Sequence, residues 1–198
     1  NLRILVGSDG KRGVKTKVEP TLQEAPGVYN DTILAGLDYL LMEMGKRKML
    51  AVLYLNNSWE WSGGYGYYLE QAGLGQAPRP NEDGYPAFMN FVAQYASCEK
   101  AHQLFYDYVR FILTRTNRYT KKKYKDDPAI MSWQIGNEPR AFSKEQLPAF
   151  EKWLGEASKL IRSLDKNHLI SIGSEGKWGC EGELNCWERI CVIFLKRK

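Results

Sequence analysis

"IMSWQIGNEPR", Ile130 to Arg140, opens as an apolar run of strand length and closes on Gly136, Asn137, Glu138 and Pro139. A short apolar run bounded by a glycine reads as a buried strand. Its end differs in chemistry from its body. An amide and a carboxylate stand where the chain leaves the sheet. Pro139 fixes φ and removes a backbone donor, which stops the strand and aims its end. Glu138 in that place can protonate a leaving oxygen, and Asn137 can offer its amide to a substrate hydroxyl. A solvated loop glutamate would read the same way at this one position, so the neighbouring segments must decide.

Three further segments share the pattern. Leu2–Val6, Met49–Leu55 ("MLAVLYL") and His168–Ile172 are short apolar runs. They end in Gly7–Ser8–Asp9, Asn56–Asn57–Ser58 and Gly173–Ser174–Glu175. Helical periodicity fills the intervals. Asn30 or Asp31 can cap a helix whose apolar face is Ile33, Leu34, Leu37, Leu40, Leu41 and Met44, with Gly45 as its stop. A second helix is predicted from Ser97 to about Thr116, with Ala101, Leu104, Phe105, Tyr108 and Ile112 inward. A third carries Phe150, Trp153, Leu154, Ala157 and Ile161, preceded by Ser143 and Gln146 in a capping-box spacing. The Gly- and Pro-bearing segment after Ser8 and the long Gly-, Pro- and Tyr-rich stretch after Leu55 read as loops.

Strands alternating with helices predict an α/β fold, with parallel strands joined by right-handed crossovers. Sites in such folds are built at the C-terminal strand ends. A doubly wound sheet and a (β/α)8 barrel both fit. No G-x-G-x-x-G or P-loop follows a strand, which weighs against nucleotide binding.

Composition narrows the classes. The 198 residues suffice for one sizeable domain. The net charge of +5 is concentrated at Arg118, Lys121, Lys122, Lys123 and Lys125. Asp126 and Asp127 follow at once and no RNA- or DNA-binding motif appears, so this segment reads as a solvated loop and no nucleic-acid partner is expected. No run of 18 apolar residues suggests a membrane helix. Cys98, Cys180, Cys186 and Cys191 form no C-x-x-C pair, and His102 and His168 stand apart from them, so no metal site is expected. Cys180 and Cys186 could bridge, which sequence alone does not establish. Aromatic residues, 13% of the chain, suit sugars or bases where they line a groove and core packing elsewhere. Asn30–Asp31–Thr32 and Asn56–Asn57–Ser58 fit the glycosylation sequon. The opening "NLRILVG" already reads as a strand, so further sequence upstream is expected.

Taken together, "LYLNNSWEWSGG" (Leu53 to Gly64), "WQIGNEPR" (Trp133 to Arg140) and "SIGSEGKWGCEGE" (Ser171 to Glu183) resemble the family 5 glycoside hydrolases of the (β/α)8-barrel clan. Within that family they look most like the endo-β-1,4-mannanases, especially bacterial ones. The resemblance runs from about Leu2 to Arg189. Asn-Glu-Pro marks the clan; the Trp-Glu-Trp-Ser-Gly-Gly loop and Arg140 are more specific to the mannanase branch. An endoglucanase of the same clan and a non-catalytic carbohydrate-binding relic are the alternatives.

The resemblance implies a partial (β/α)8 barrel holding strands two to five, and a retaining double displacement on β-1,4-mannan. Glu138 takes the place of the general acid/base. Asn137 matches the amide that contacts the sugar at the cleavage point, and Arg3 the arginine that orients the nucleophile. Trp59 matches an aromatic loop lining the glycone side, and Arg140 an arginine on the aglycone side. Trp61 and Glu175 carry over as further substrate contacts. No metal or organic cofactor is implied. Secretion follows from a polymeric substrate.

The departures are also informative. The family's nucleophilic glutamate, on the seventh strand, has no counterpart here, nor do the sixth-strand His and Tyr or the eighth-strand Trp. Glu175 does not replace the nucleophile, which comes from the opposite side of the barrel. Residues 191–198, "CVIFLKRK", read as an atypical tail on a single catalytic domain spanning 1–198. Such a domain is expected to cleave little alone, with self-association or complementation as a way to complete it.

Overall fold

The computed structural model describes residues 1–10 and 17–175. The chain enters through strand β1 (Leu2–Leu5), then a small antiparallel pair, β2 (Gln23–Ala25) and β3 (Val28–Tyr29), within the first segment read as a loop. Helix α1 (Asp31–Lys46) follows, and its Asn30 Oδ1 accepts from the backbone N–H groups of Thr32 and Ile33 at 3.1 and 3.2 Å. Gly45 does not stop this helix. It lies inside it, 3.8 Å by its would-be Cβ from Ala129 Cβ, and the reversal falls to Lys48 at φ +55°.

Strand β4 (Ala51–Tyr54) comes next. The stretch after it, expected to be a loop, instead holds helices α2 (Gly64–Ala72), α3 (Pro80–Asp83) and α4 (Tyr85–Val92). In α2 the residues Tyr65, Tyr67, Tyr68 and Leu69 are all buried, so no polar stripe marks the helix and tertiary packing supplies its stability. Tyr65 stacks on Tyr95 with centroids 4.0 Å apart and planes 5° from parallel. Helix α5 (Glu99–Thr114), strand β5 (Ile130–Gln134), helix α6 (Leu147–Leu164) and strand β6 (Leu169–Ser171) complete the order. The Gln146 N–H donates to Ser143 Oγ at 3.2 Å, but α6 starts at Leu147, so that pair closes a turn before the helix and is not its capping box.

The sheet is parallel throughout, in the order β1-β4-β5-β6. Spatial order repeats chain order, with none of the reversal that defines a doubly wound sheet. Register pairs Ile4 with Leu53, Leu53 with Trp133 and Trp133 with Ile170. Trp133, Trp153, Tyr65, Tyr68, Tyr95 and Phe105 are among the largest fully buried side chains, so much of the aromatic content is core. Asn56 is also fully buried and donates to Tyr95 Oη at 3.2 Å, which closes the second sequon in the folded chain.

On α1, fully buried Asp38 accepts from Arg115 Nη2 (2.7 Å) and Nε (3.2 Å) and from Tyr124 Oη (2.6 Å). Burial alone would raise this carboxyl; the hydrogen bonds from Arg115 and Tyr124 outweigh it and hold the group below the usual carboxylate range. Lys121, Lys122 and Lys123, beyond this anchor, are exposed.

Candidate active site

Glu138 emerges just past β5, and backbone hydrogen bonds fix the main chain there. The Asn137 N–H donates to Asn56 O at 2.8 Å, and the Glu138 N–H to Gly173 O at 3.0 Å. Successive residues are thus tied to the exits of the two neighbouring strands, β4 and β6. Glu138 takes φ +50°, a left-handed conformation that costs a non-glycine residue on the order of 1–2 kcal/mol. Gly173 makes the arrangement possible, because a Cβ there would lie 1.9 Å from Gly136 O.

The side chains form one connected set. Arg3 Nη2 donates to Asn137 Oδ1 at 2.9 Å and Arg3 Nε to Gln134 Oε1 at 2.6 Å, with the guanidinium 4.1 Å from the Tyr54 ring centroid. Asn137 Nδ2 donates to Asn57 Oδ1 at 3.2 Å, which fixes the amide orientation from both ends. Trp59 Nε1 donates to Glu138 Oε2 at 2.7 Å. The Arg140 guanidinium lies 5.1 Å from the Trp59 ring centroid and forms an ion pair with Glu175. Arg3, Trp59, Asn137, Glu138, Arg140 and Glu175 are therefore brought together. Trp61 is half-buried in the same turn as Trp59, and its carbonyl accepts from the Val18 N–H at 2.7 Å.

Three participants were not singled out as site residues in the sequence. Asn57 accepts from Asn137 and from the Trp59 N–H, while its own Nδ2 donates to Ser62 Oγ at 3.0 Å. Gln134 holds Arg3, and Ser58 Oγ accepts from the Arg140 N–H at 3.1 Å. The polar triplet ending the Met49–Leu55 run was the available signal for Asn57 and Ser58. Cys180, Cys186 and the tail 191–198 lie outside the described residues. Among the described residues, no group of three or more His, Cys, Asp or Glu could hold a metal ion, and no helix is long and apolar enough to cross a membrane.

The turn carrying Trp59 rests on Asp9, whose N–H donates to Ser62 O at 2.8 Å. Gly63 passes over it at φ +90°, where a Cβ would stand 2.3 Å from Asp9 O. The Asp9 carboxyl is fully buried; Oδ1 accepts from Gln23 Nε2 at 3.0 Å, and Oδ2 has no hydrogen-bond partner among the described residues. Burial pushes it up to about 7, against the lowering effects of Gln23 and Lys17. A carboxyl raised on folding binds more protons in the native state, so its contribution to stability is full below the unfolded value near 4 and falls as pH rises to about 7. Asp9→Asn is expected to flatten that decline, gaining about 2–4 kcal/mol relative to the parent at pH 8 and little at pH 4. Urea titrations of both proteins across this range measure the difference; parallel curves would show that Asp9 does not titrate there.

A family model described as "GH family 5 beta-mannosidase-like" matches residues 1–191. The chain belongs to glycoside hydrolase family 5. Over 158 residues it is 36% identical to mannan endo-1,4-beta-mannosidase 4 of Solanum lycopersicum, covering 80% of this chain and 37% of that protein. A glycoside hydrolase family 5 mannosidase of Rhizomucor miehei superposes with a TM-score of 0.79 at 36% identity, over 88% of this chain and 42% of that one. The endo-1,4-beta-D-mannanase of Thermotoga petrophila gives 0.71 at 26% identity, over 88% and 46%. The chain thus spans less than half the length of each of these family 5 relatives. Its fold is a partial (β/α)8 barrel, with β1, β4, β5 and β6 as consecutive staves.

Proposed function

We propose that the protein carrying this chain cleaves internal β-1,4-mannosidic bonds of mannans by a retaining double displacement in which Glu138 is the general acid/base. The observation that supports this most is Glu138 at a C-terminal strand end, with one oxygen held by Trp59 and with Asn137 locked beside it between Arg3 and Asn57. Relatives named as mannan endo-1,4-beta-mannosidases support the substrate class.

Glu138 gives its proton to the glycosidic oxygen as the bond to the anomeric carbon breaks. A second carboxylate attacks that carbon, and a glycosyl-enzyme results. Glu138, now ionised, takes a proton from water, and the resulting hydroxide displaces the enzyme carboxylate. Retention requires the two carboxyls to be about 5–5.5 Å apart. Glu175 is engaged by Arg140 and is not assigned that role. Asn137 Nδ2 keeps a second hydrogen for the sugar 2-hydroxyl. Arg140, Glu175 and Trp61 serve as further substrate contacts. The chemistry uses carboxylates and water, and a polymeric substrate places it outside the cell.

A reducing-end and viscosity assay of the full-length protein on β-mannan and carboxymethylcellulose tests the reading. Rapid viscosity loss on mannan, with little on the cellulose derivative, is expected. Preference for the glucan would overturn the substrate. Release of mannose without viscosity loss would favour an exo-acting mannosidase, the second reading suggested by the family description and by the Rhizomucor mannosidase.

A further inference from the structure

We infer that Trp59 positions the proton donor: its indole N–H holds one oxygen of Glu138 so that the other presents the proton to the leaving group. This rests on the reading of Glu138 as the acid/base and adds a role for a side chain otherwise expected to stack against sugar.

Stacking on a pyranose needs an open aromatic face. Trp59 is partly buried, and protein groups lie against its ring. The Arg140 guanidinium lies over its ring at 5.1 Å. Phe88 lies 19° from parallel at 6.4 Å, while Phe142 at 5.6 Å and Tyr85 at 6.1 Å stand nearly perpendicular to it. Arg140 is itself restrained by Glu175 and, through its N–H, by Ser58. The indole is therefore held among Arg140 and three aromatic rings, with its N–H directed at Glu138 Oε2.

Glu138 needs such a tether. Its left-handed backbone leaves the regular strand behind, so the strand geometry does not set the carboxyl orientation. A single N–H donor resolves the two equivalent oxygens. In the acid, the carbonyl oxygen accepts from Trp59 and the hydroxyl oxygen carries the transferable proton. After transfer the same donor stabilises the carboxylate. Asn57 Oδ1 links the Trp59 backbone N–H to Asn137, so tether and sugar-facing amide share one anchor.

The test compares Trp59→Phe, Trp59→Ala and Glu138→Ala in the full-length protein, on mannooligosaccharides and on a dinitrophenyl β-mannoside. Trp59→Phe keeps an aromatic ring and loses the donor. It is expected to lower kcat on mannooligosaccharides by about 10–100-fold with KM nearly constant, the scale of losing a hydrogen bond to a charged group. The first step on the activated substrate, whose dinitrophenolate leaves without a proton, is expected to be spared. Replacement of Trp59 by β-(3-benzothienyl)alanine, isosteric but lacking the N–H, should reproduce the effect even if Trp59→Phe misfolds. Parental kcat in Trp59→Phe with KM raised only in Trp59→Ala would overturn the inference in favour of a stacking platform. Equal losses on both substrates would overturn it too. If Glu138→Ala shows leaving-group dependence and Trp59→Phe does not, the inference fails while the role of Glu138 stands. If Glu138→Ala lacks that dependence, both fall.

Discussion

Glu138→Ala in the full-length protein is expected to lower mannan hydrolysis by about 10²–10⁴-fold, the usual worth of general acid catalysis. The damage should depend on the leaving group. A sugar alkoxide departs only with a proton, whereas an activated aryloxide departs without one. An aryl mannoside should therefore keep most of its first step. Its second step still lacks a base to activate water, so glycosyl-enzyme should accumulate. Added azide attacks without base assistance and should restore turnover as a glycosyl azide. Glu138→Gln should behave alike, separating loss of the proton from loss of bulk. Equal loss on both substrates, with no azide rescue, would assign Glu138 to the nucleophile or to a structural role.

Asp38→Ala should cost the folded state about 3–5 kcal/mol, because removing one partner of a buried ion pair leaves the other uncompensated. Asp38 is 0% exposed at its side chain and Arg115 14%, so water screens their interaction little. Tyr124 Oη would lose its acceptor as well. The Arg118 contacts, on a side chain 40% exposed, should add little. Because this carboxyl sits below the usual range in the folded state, its stabilisation is present above the unfolded value and is lost as pH falls through the folded one. Urea unfolding at neutral and acid pH measures both effects. A loss below about 1 kcal/mol at neutral pH would mean that the network relaxes or hydrates when Asp38 is removed.

The two buried aspartates illustrate what a sequence conceals. Asp38 reads as one polar position on an otherwise apolar helix face, and Asp9 as part of a strand-end loop. Their opposite shifts have different sources: Arg115 and Tyr124, far along the chain, for Asp38, and for Asp9 burial that leaves one oxygen without a hydrogen-bond partner among the described residues.

The four strands of the parallel sheet, three of the helices and the position of Glu138 after a strand were legible in the sequence. Those features are written in periodicity and in changes of residue chemistry over a few positions. Three things were decided only in the folded molecule. Helix α2 is built from "GYGYY", residues of modest or poor helix propensity, and exists because all of its residues but Glu70 and Gln71 are buried. Asn57 became the anchor of the site through contact with Asn137, 80 residues away. Trp59 found Glu138 across 79 residues. The parallel register that pairs Leu53 with Trp133 brings the exits of β4 and β5 side by side. Local sequence specifies each strand and its polar end, but which ends meet is set by the pairing of whole strands.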